Sequence, residues 1–415
     1  MNEDKLKATI NWKQGTALSI SAVIGCGILV LPALTAQKAG PASLLVWIII
    51  SLLSFPIVFV LGRLAARVPK AGGIASYSAK AFGSKAGVVT SWILMGSIPI
   101  GLPAVALSGA YYLGYVLPLS FWQLILVSAA MLYISIALNI KGIDISSKIS
   151  SIMVIIIIVL LLSIVLFSSF HVELTAFKPF APKGIKSILS TFPIIFFAFA
   201  GWELITPLAE EFKKPTRDIP ISLFLSALFI ALLYTSISFV TIGTGVYSSD
   251  NASTPLSSLI ALSLGKTSGY IVAILTVLIT FCTIHANIAG FSRIIYNEAR
   301  DGEFPKLFSK LHSRFKTPVN ALLALGIDFG IVLACFAFIS PDLNQLLKFP
   351  GSVFLSSYII AMASALKILS RRDLGWWCAL LALIICLIIY FCSGLISLFP
   401  IALGTLGWLY VNSRK

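Results

Sequence analysis

The sequence predicts an all-α membrane protein of about twelve transmembrane helices, ordered as a 5+5 inverted repeat with two further C-terminal helices. Three observations carry this expectation. The 415 residues are 58% hydrophobic and 11% charged, with a mean hydropathy of +1.00, whereas soluble domains carry about 25% charged residues. The apolar residues come in long unbroken runs, which fit helices and exclude an outer-membrane barrel, whose strands alternate. Two of the runs, one in each half of the chain, are interrupted by Gly and Pro at matching places. Such a pair is the best sequence pointer to a binding site formed between repeats.

Span one, 16–38, holds Ile24-Gly25-Cys26-Gly27 and Pro32. Gly gives up backbone entropy and Pro lacks a donor, so the helix is expected to break there. Span two, 42–66, runs into the Pro/Gly-rich connection from Val68 to Tyr77. Span three, 88–116, is distorted by Pro99, Gly101 and Pro103. Spans four and five, 120–140 and 149–169, are uninterrupted, with Lys148 at the start of the fifth. Span six, 187–211, repeats the interruption at Gly201 and Pro207 and ends in the charged stretch Glu210 to Asp218. Spans seven to ten follow at 220–246, 268–298, 319–340 and 343–368, the last two carrying Asp328 and Lys348. The final runs, 375–392 and 394–411, are short and close, and read either as two spans or as one hairpin.

Gly25 and Gly201 stand about 176 residues apart, which sets spans one and six in register. Five spans per repeat reverse the second repeat relative to the first. Repeat one then covers about 14–169, repeat two about 187–369 and the extra helices about 375–411, within a single transmembrane domain 1–415.

The net charge of +15 is a matter of topology. With the N-terminus cytoplasmic, 24 of the 30 Lys and Arg residues fall on the inner side. The positive-inside rule therefore predicts both termini in the cytoplasm and a lipid bilayer, with no nucleic acid, as the partner. The polar start, Met1 to Lys13, and the full-length first run do not resemble a cleaved signal peptide. Six cysteines lie in apolar runs without CxxC spacing, so neither a metal site nor a disulfide framework is expected. No nucleophile–base pair or nucleotide loop is visible, so the chain reads as a non-enzyme without a cofactor.

The stretches GCGILVLPAL, VPKAGGIASY, FAFAGWELITPLAEEFKKPTRDIP and ARDGEFPKLF, the last followed by TPVNALLAL, resemble the amino acid–polyamine–organocation transporters. The resemblance runs from about Thr16 to Leu369 and implies a LeuT-type fold. With MGSIPIGLPAVAL in span three, it extends to the branch of bacterial L-methionine and branched-chain amino acid exporters. It implies a secondary transporter of small neutral amino acids in the bacterial cytoplasmic membrane, exporting methionine, leucine, isoleucine or valine and coupled to H+. Import or exchange of other amino acids, and a transporter-like amino acid sensor, are the alternatives. A channel is disfavoured because no continuous polar pore is evident.

An amino acid presents a carboxylate and an ammonium. Free amides around Ile24, Gly25, Cys26 and Gly27, at the start of a half-helix, suit the carboxylate. Carbonyls near Phe197, Ala200 and Gly201 suit the ammonium. The family's G-S-G is G-C-G here, so a side-chain donor at Cys26 is in doubt. Phe197 is an aromatic lid by resemblance, or else packing. Trp202 lines the site or packs. Asn287, near His285 and Thr283, touches substrate or ties helices together. Pro99 shapes the side-chain pocket. Glu203 is an intramembrane carboxylate, either the proton-coupling acid or a structural group. With only Glu203 near the pocket, cationic substrates are disfavoured. Lys148 reads as a snorkelling anchor or as a cation replacing sodium.

Overall fold

The computed structural model describes residues 6–25, 27–248, 255–264, 268–339 and 348–413. Cys26 lies outside them, as does the side chain of Lys348. Span one is two helices, α1 (Trp12–Val23) and α2 (Gly27–Ala39). Asn11 starts α1 with a reciprocal capping box to Gln14, each side chain accepting from the other's backbone amide. Helix α3 (Ser43–Arg67) is span two, and the amphipathic α4 (Ile74–Phe82) lies in the connection behind it. Span three is divided into α5 (Ser84–Met95) and α6 (Ile98–Val116), and α7 (Phe121–Ile140) and α8 (Ile143–Ser169) complete the first half.

The second half opens with the short α9 (Gly184–Leu189) and α10 (Phe192–Ala198). After the break, span six continues as two 3₁₀ stretches, Trp202–Leu204 and Thr206–Glu211. Then come α11 (Pro215–Gly243), α12 (Pro255–Leu264), α13 (Ser268–Arg300), α14 (Val319–Ile339) and α15 (Lys348–Ile368). The last two runs are separate helices, α16 (Leu374–Cys392) and α17 (Leu398–Ser413). Among the described residues, eleven stretches are long and apolar enough to cross a membrane. One of them joins α2 to α3, and separating the broken span one from span two gives the expected twelve.

Helices five spans apart pack against each other. Helix α3 lies on α11, α6 on α13 and α7 on α14, while α2 meets α10 and α1 meets the Trp202–Leu204 turn. This pairing brings the two breaks together at the centre of the molecule. Behind them sits an aromatic cluster of Trp47, Phe199, Tyr234 and Trp202, with ring centroids 5.1–6.2 Å apart.

Differences from the sequence reading have local causes. Span three is not continuous, because Pro99 begins a new helix after Gly96, which packs against Leu403. The second half of span six is not α-helical, Pro207 having no amide to donate. The charged end of span six, which by sequence suits either a solvated helix end or the ion pairs of an inner gate, is ion-paired. Arg293 holds Glu211 through two bonds of 2.9 Å, with both side chains fully buried (0% and 1% exposed). Arg300 grips Glu210 in the same bidentate way nearer the surface. Glu210 also accepts from the Ala71 amide at 3.0 Å, and the Glu211 carbonyl accepts from Thr9 and Ile10. These bonds tie the N-terminal segment, the span-two connection, span six and α13 into one closed face.

Removing one partner of a fully buried ion pair strands the other charge at about 3–5 kcal/mol, whereas a partly exposed pair is worth about 1 kcal/mol or less. Arg293→Gln is therefore expected to lower the thermal unfolding midpoint in detergent strongly, and Arg300→Gln only slightly. Equal shifts would contradict this assignment.

Candidate functional site

The two breaks enclose a cavity with about 60 Å³ open to water centres. Span one contributes Ala22, Val23, Gly25 and Gly27, and span six contributes Phe197, Ala198, Ala200 and Gly201. Thr283, Asn287 and Phe291 of α13 close one side. Gly101, Leu102 and Val105 of span three, with Pro350 and Phe354 of α15, form the apolar remainder, beside the hydroxyl-bearing Ser97. No described lining residue carries a charged side chain.

Glycine is required where the spans touch. Gly201 has φ +138°, and a Cβ there would lie 2.5 Å from the Ala22 carbonyl oxygen. A Cβ on Gly27 would stand 3.1 Å from that of Ala198, while one on Gly25 would meet Thr283 at an ordinary 3.5 Å. The freed backbone groups are taken up individually. Tyr234 donates to the Val23 carbonyl at 3.0 Å. The Gly201 amide donates to Glu203 Oε2 at 2.9 Å. Tyr358 of α15 donates to the same oxygen, while Oε1 has no partner among the described residues.

Six of the sequence-predicted residues meet at this cavity: Gly25, Gly27, Phe197, Ala200, Gly201 and Asn287. Phe197 also packs against Gly351, where a Cβ would be 3.0 Å from its ring. Asn287 donates to its own helix at Thr283 O (2.7 Å) and reaches toward Ala22 O at 3.5 Å. Four others lie elsewhere. Ile24 is buried outside the lining, and its amide is bound to Ile20 O at 2.8 Å. The Gly25 amide is likewise turned onto Val23 O. The amides open to a ligand therefore belong to the first turn of α2, from Gly27 onward. Pro99 starts α6 but does not reach the cavity, where Ser97 and Gly101 stand instead. Trp202 packs behind the break and donates to Ser226 at 3.0 Å. Glu203 is buried behind Gly201, facing Tyr358 rather than the cavity.

On the ammonium side, the Phe197 carbonyl is occupied by the Ala200 amide at 3.1 Å. His285 proves to be a helix tie. It contacts Ser135 and Asn139 of α7 at 3.1 Å each, and Ser146 of α8. Lys148 pairs with Asp144 on the exposed surface, 2.9 Å away, which fits an anchor and not a cation at the site. Sequence reasoning missed Tyr358 and Tyr234. A lone phenol inside an apolar span must find an acceptor, and that was the available signal.

The cavity thus sees the positive start of the thirteen-residue α2 and the negative ends of α1 and α10. Opposed half-helix dipoles around an uncharged apolar pocket suit a small zwitterion with an apolar side chain.

A broken-helix membrane fold with such a cavity defines a carrier of small molecules. The family model for amino acid permeases matches residues 10–412, and the chain belongs to that family. It is 47% identical over 410 residues to the uncharacterized amino acid permease YecA of Bacillus subtilis, covering 99% of this chain and 97% of that protein. It is 28% identical over 418 residues to the L-methionine/branched-chain amino acid exporter YjeH of Escherichia coli, covering 99% and 97%. With the branched-chain amino acid permease BcaP of Bacillus subtilis it shares 25% over 437 residues, covering 99% and 90%.

A residue forced into the backbone conformation of Gly201 costs about 1–3 kcal/mol before any clash is counted. Gly201→Ala is expected to lose most of its folded protein, judged by size-exclusion profile and thermal unfolding, whereas Gly25→Ala should match the wild type. A stable Gly201→Ala protein would contradict the close approach of spans one and six.

Proposed function

We propose that the chain is a secondary transporter of small neutral, apolar L-amino acids, with methionine, leucine, isoleucine and valine as substrates. It works by alternating access in the bacterial cytoplasmic membrane, with both termini in the cytoplasm, and its physiological direction is export. The observation that carries this reading is the uncharged, apolar cavity between opposed half-helix ends. The α2 amides receive the carboxylate, and the carbonyls at the ends of α1 and α10, already bonded within the protein, receive the ammonium on their second lone pair. Gly101, Leu102, Val105 and Phe354 receive the side chain, and Phe197 covers it. The likeness to the methionine and branched-chain exporter supports the substrate class and the direction. The first four helices of each repeat, 14–169 and 187–369, supply the rocking bundle and its scaffold around the two breaks, and 375–411 stays outside that motion.

Glu203 is the proton-coupling residue in this scheme. Its Oε1 is free to take a proton, while Oε2 holds the Gly201 amide and the Tyr358 phenol. A carboxylate accepts hydrogen bonds about twice as strongly as a neutral acid. Protonation therefore loosens the link between the span-six break and α15 without a change of partner. That couples the proton to the geometry of the cavity wall without contact between acid and substrate.

The test uses purified protein in liposomes loaded with methionine or leucine, with an imposed pH gradient, with and without sodium. Labelled amino acid is expected to follow the pH gradient, and Glu203→Gln should transport with that dependence lost. Gly25→Ala is expected to weaken leucine binding about tenfold, since one intruding methyl in a packed pocket costs about 1–3 kcal/mol. Absence of flux for all four substrates in folded protein would overturn the substrate class. A Glu203→Gln variant with unchanged pH dependence would make Glu203 structural.

A further inference from the structure

A second cleft, of about 510 Å³, opens where α3, α4 and α15 end. It is lined by Arg67 at the end of α3, Lys80 and Ala81 of α4, and Lys367 and Ile368 at the end of α15. Its volume falls within the about 300–1,000 Å³ of small-ligand sites. Three cations line it; Arg67 is engaged by Asp373 and by the Ile368 carbonyl (2.9 Å), while Lys80 and Lys367 form no ion pair among the described residues. Between Arg63 and Lys85 there are five basic residues and no acidic one. Asp373, the acid nearby, is already claimed by both Arg63 (3.3 Å) and Arg67 (3.0 Å). The Lys367 ammonium rests over the Phe82 ring at 4.7 Å, a contact that leaves its charge intact.

The position of the cleft says what would meet this charge. Helix α3 has 25 residues and is about 37 Å long, so its last residue, Arg67, lies beyond a hydrocarbon core of about 30 Å, at headgroup level. The adjoining α4 buries Ile74, Ala75 and Tyr77 against the protein and leaves Phe82 exposed at the same level. A bilayer presents phosphodiesters at that depth, and basic pockets between span ends on the inner leaflet are suited to anionic headgroups. We propose that this cleft binds the phosphate of an anionic phospholipid, held by Lys80 and Lys367, with the Asp373-paired Arg67 forming its wall. The headgroup bridges α4, which follows span two, to α15, which carries the Tyr358 partner of Glu203. It therefore fastens a helix of the first half to one of the second.

The full chain, purified in detergent, is mixed with dioleoylphosphatidylglycerol or dioleoylphosphatidylcholine, and retained lipid is counted by native mass spectrometry. The wild type is expected to retain the glycerol lipid in preference. The double variant Lys80→Gln/Lys367→Gln should lose about tenfold or more of it, and Lys80→Arg/Lys367→Arg should keep it. Equal retention of the two lipids, or an unchanged Gln variant, overturns the proposal. Displacement of the glycerol lipid by excess inorganic phosphate would assign the cleft to a free anion and overturn the lipid assignment. Should the Gln variant fail to fold, rising salt on the wild type decides: loss of the glycerol lipid alone supports the site, and retention rejects it.

Discussion

Backbone groups set free inside a bilayer have no water to turn to, and each one left alone costs several kcal/mol. The centre of this permease is arranged around that constraint. Breaking spans one and six opens a cavity, and it also releases amides and carbonyls in hydrocarbon. Tyr234 takes the Val23 carbonyl, Glu203 takes the Gly201 amide, and Tyr358 supports Glu203 from a third span. Among the amides, those of the first turn of α2 remain open at the cavity. Recognition capacity and structural need are two accounts of the same unpaired groups.

Around this centre the charges are kept apart from the cavity. The strongest pair, Arg293 with Glu211, is sealed where α13 meets the end of span six, and the neighbouring Arg300–Glu210 pair lies closer to solvent. Together with the Ile10–Phe212 bridge they close the terminus-bearing face. The deeper pair is costly to break and the outer one is not. At its rim, Glu210 serves both Arg300 and the amide of the Ala71 connection.

The broad fold was legible because hydropathy measures what a bilayer demands: long apolar runs, with glycine and proline standing out where a helix fails. Gly25, Gly27 and Gly201 stood out for that reason, and Asn287 and Phe197 through the family resemblance. The rest depended on direction rather than on residue type. Ile24 and Gly25 belong to the break, but their amides point back along α1. Pro99 interrupts span three but, two residues from both Ser97 and Gly101, stands about half a turn from the lining. Glu203 looks like a cavity acid by proximity to Gly201, yet the turn after the break aims it at Tyr358. The buried Arg293–Glu211 pair joins residues 82 positions apart, and no local pattern distinguishes it from a charged helix end.

The cavity's lack of ionised side chains has an electrical consequence. For the neutral amino acid proposed above, a zwitterion moving past a wall of zero net charge carries no current of its own. In that scheme the membrane potential, worth about 2.3 kcal/mol per elementary charge per 100 mV, acts on transport through the coupling ion. Current measured across a bilayer containing this protein would then count coupling ions directly.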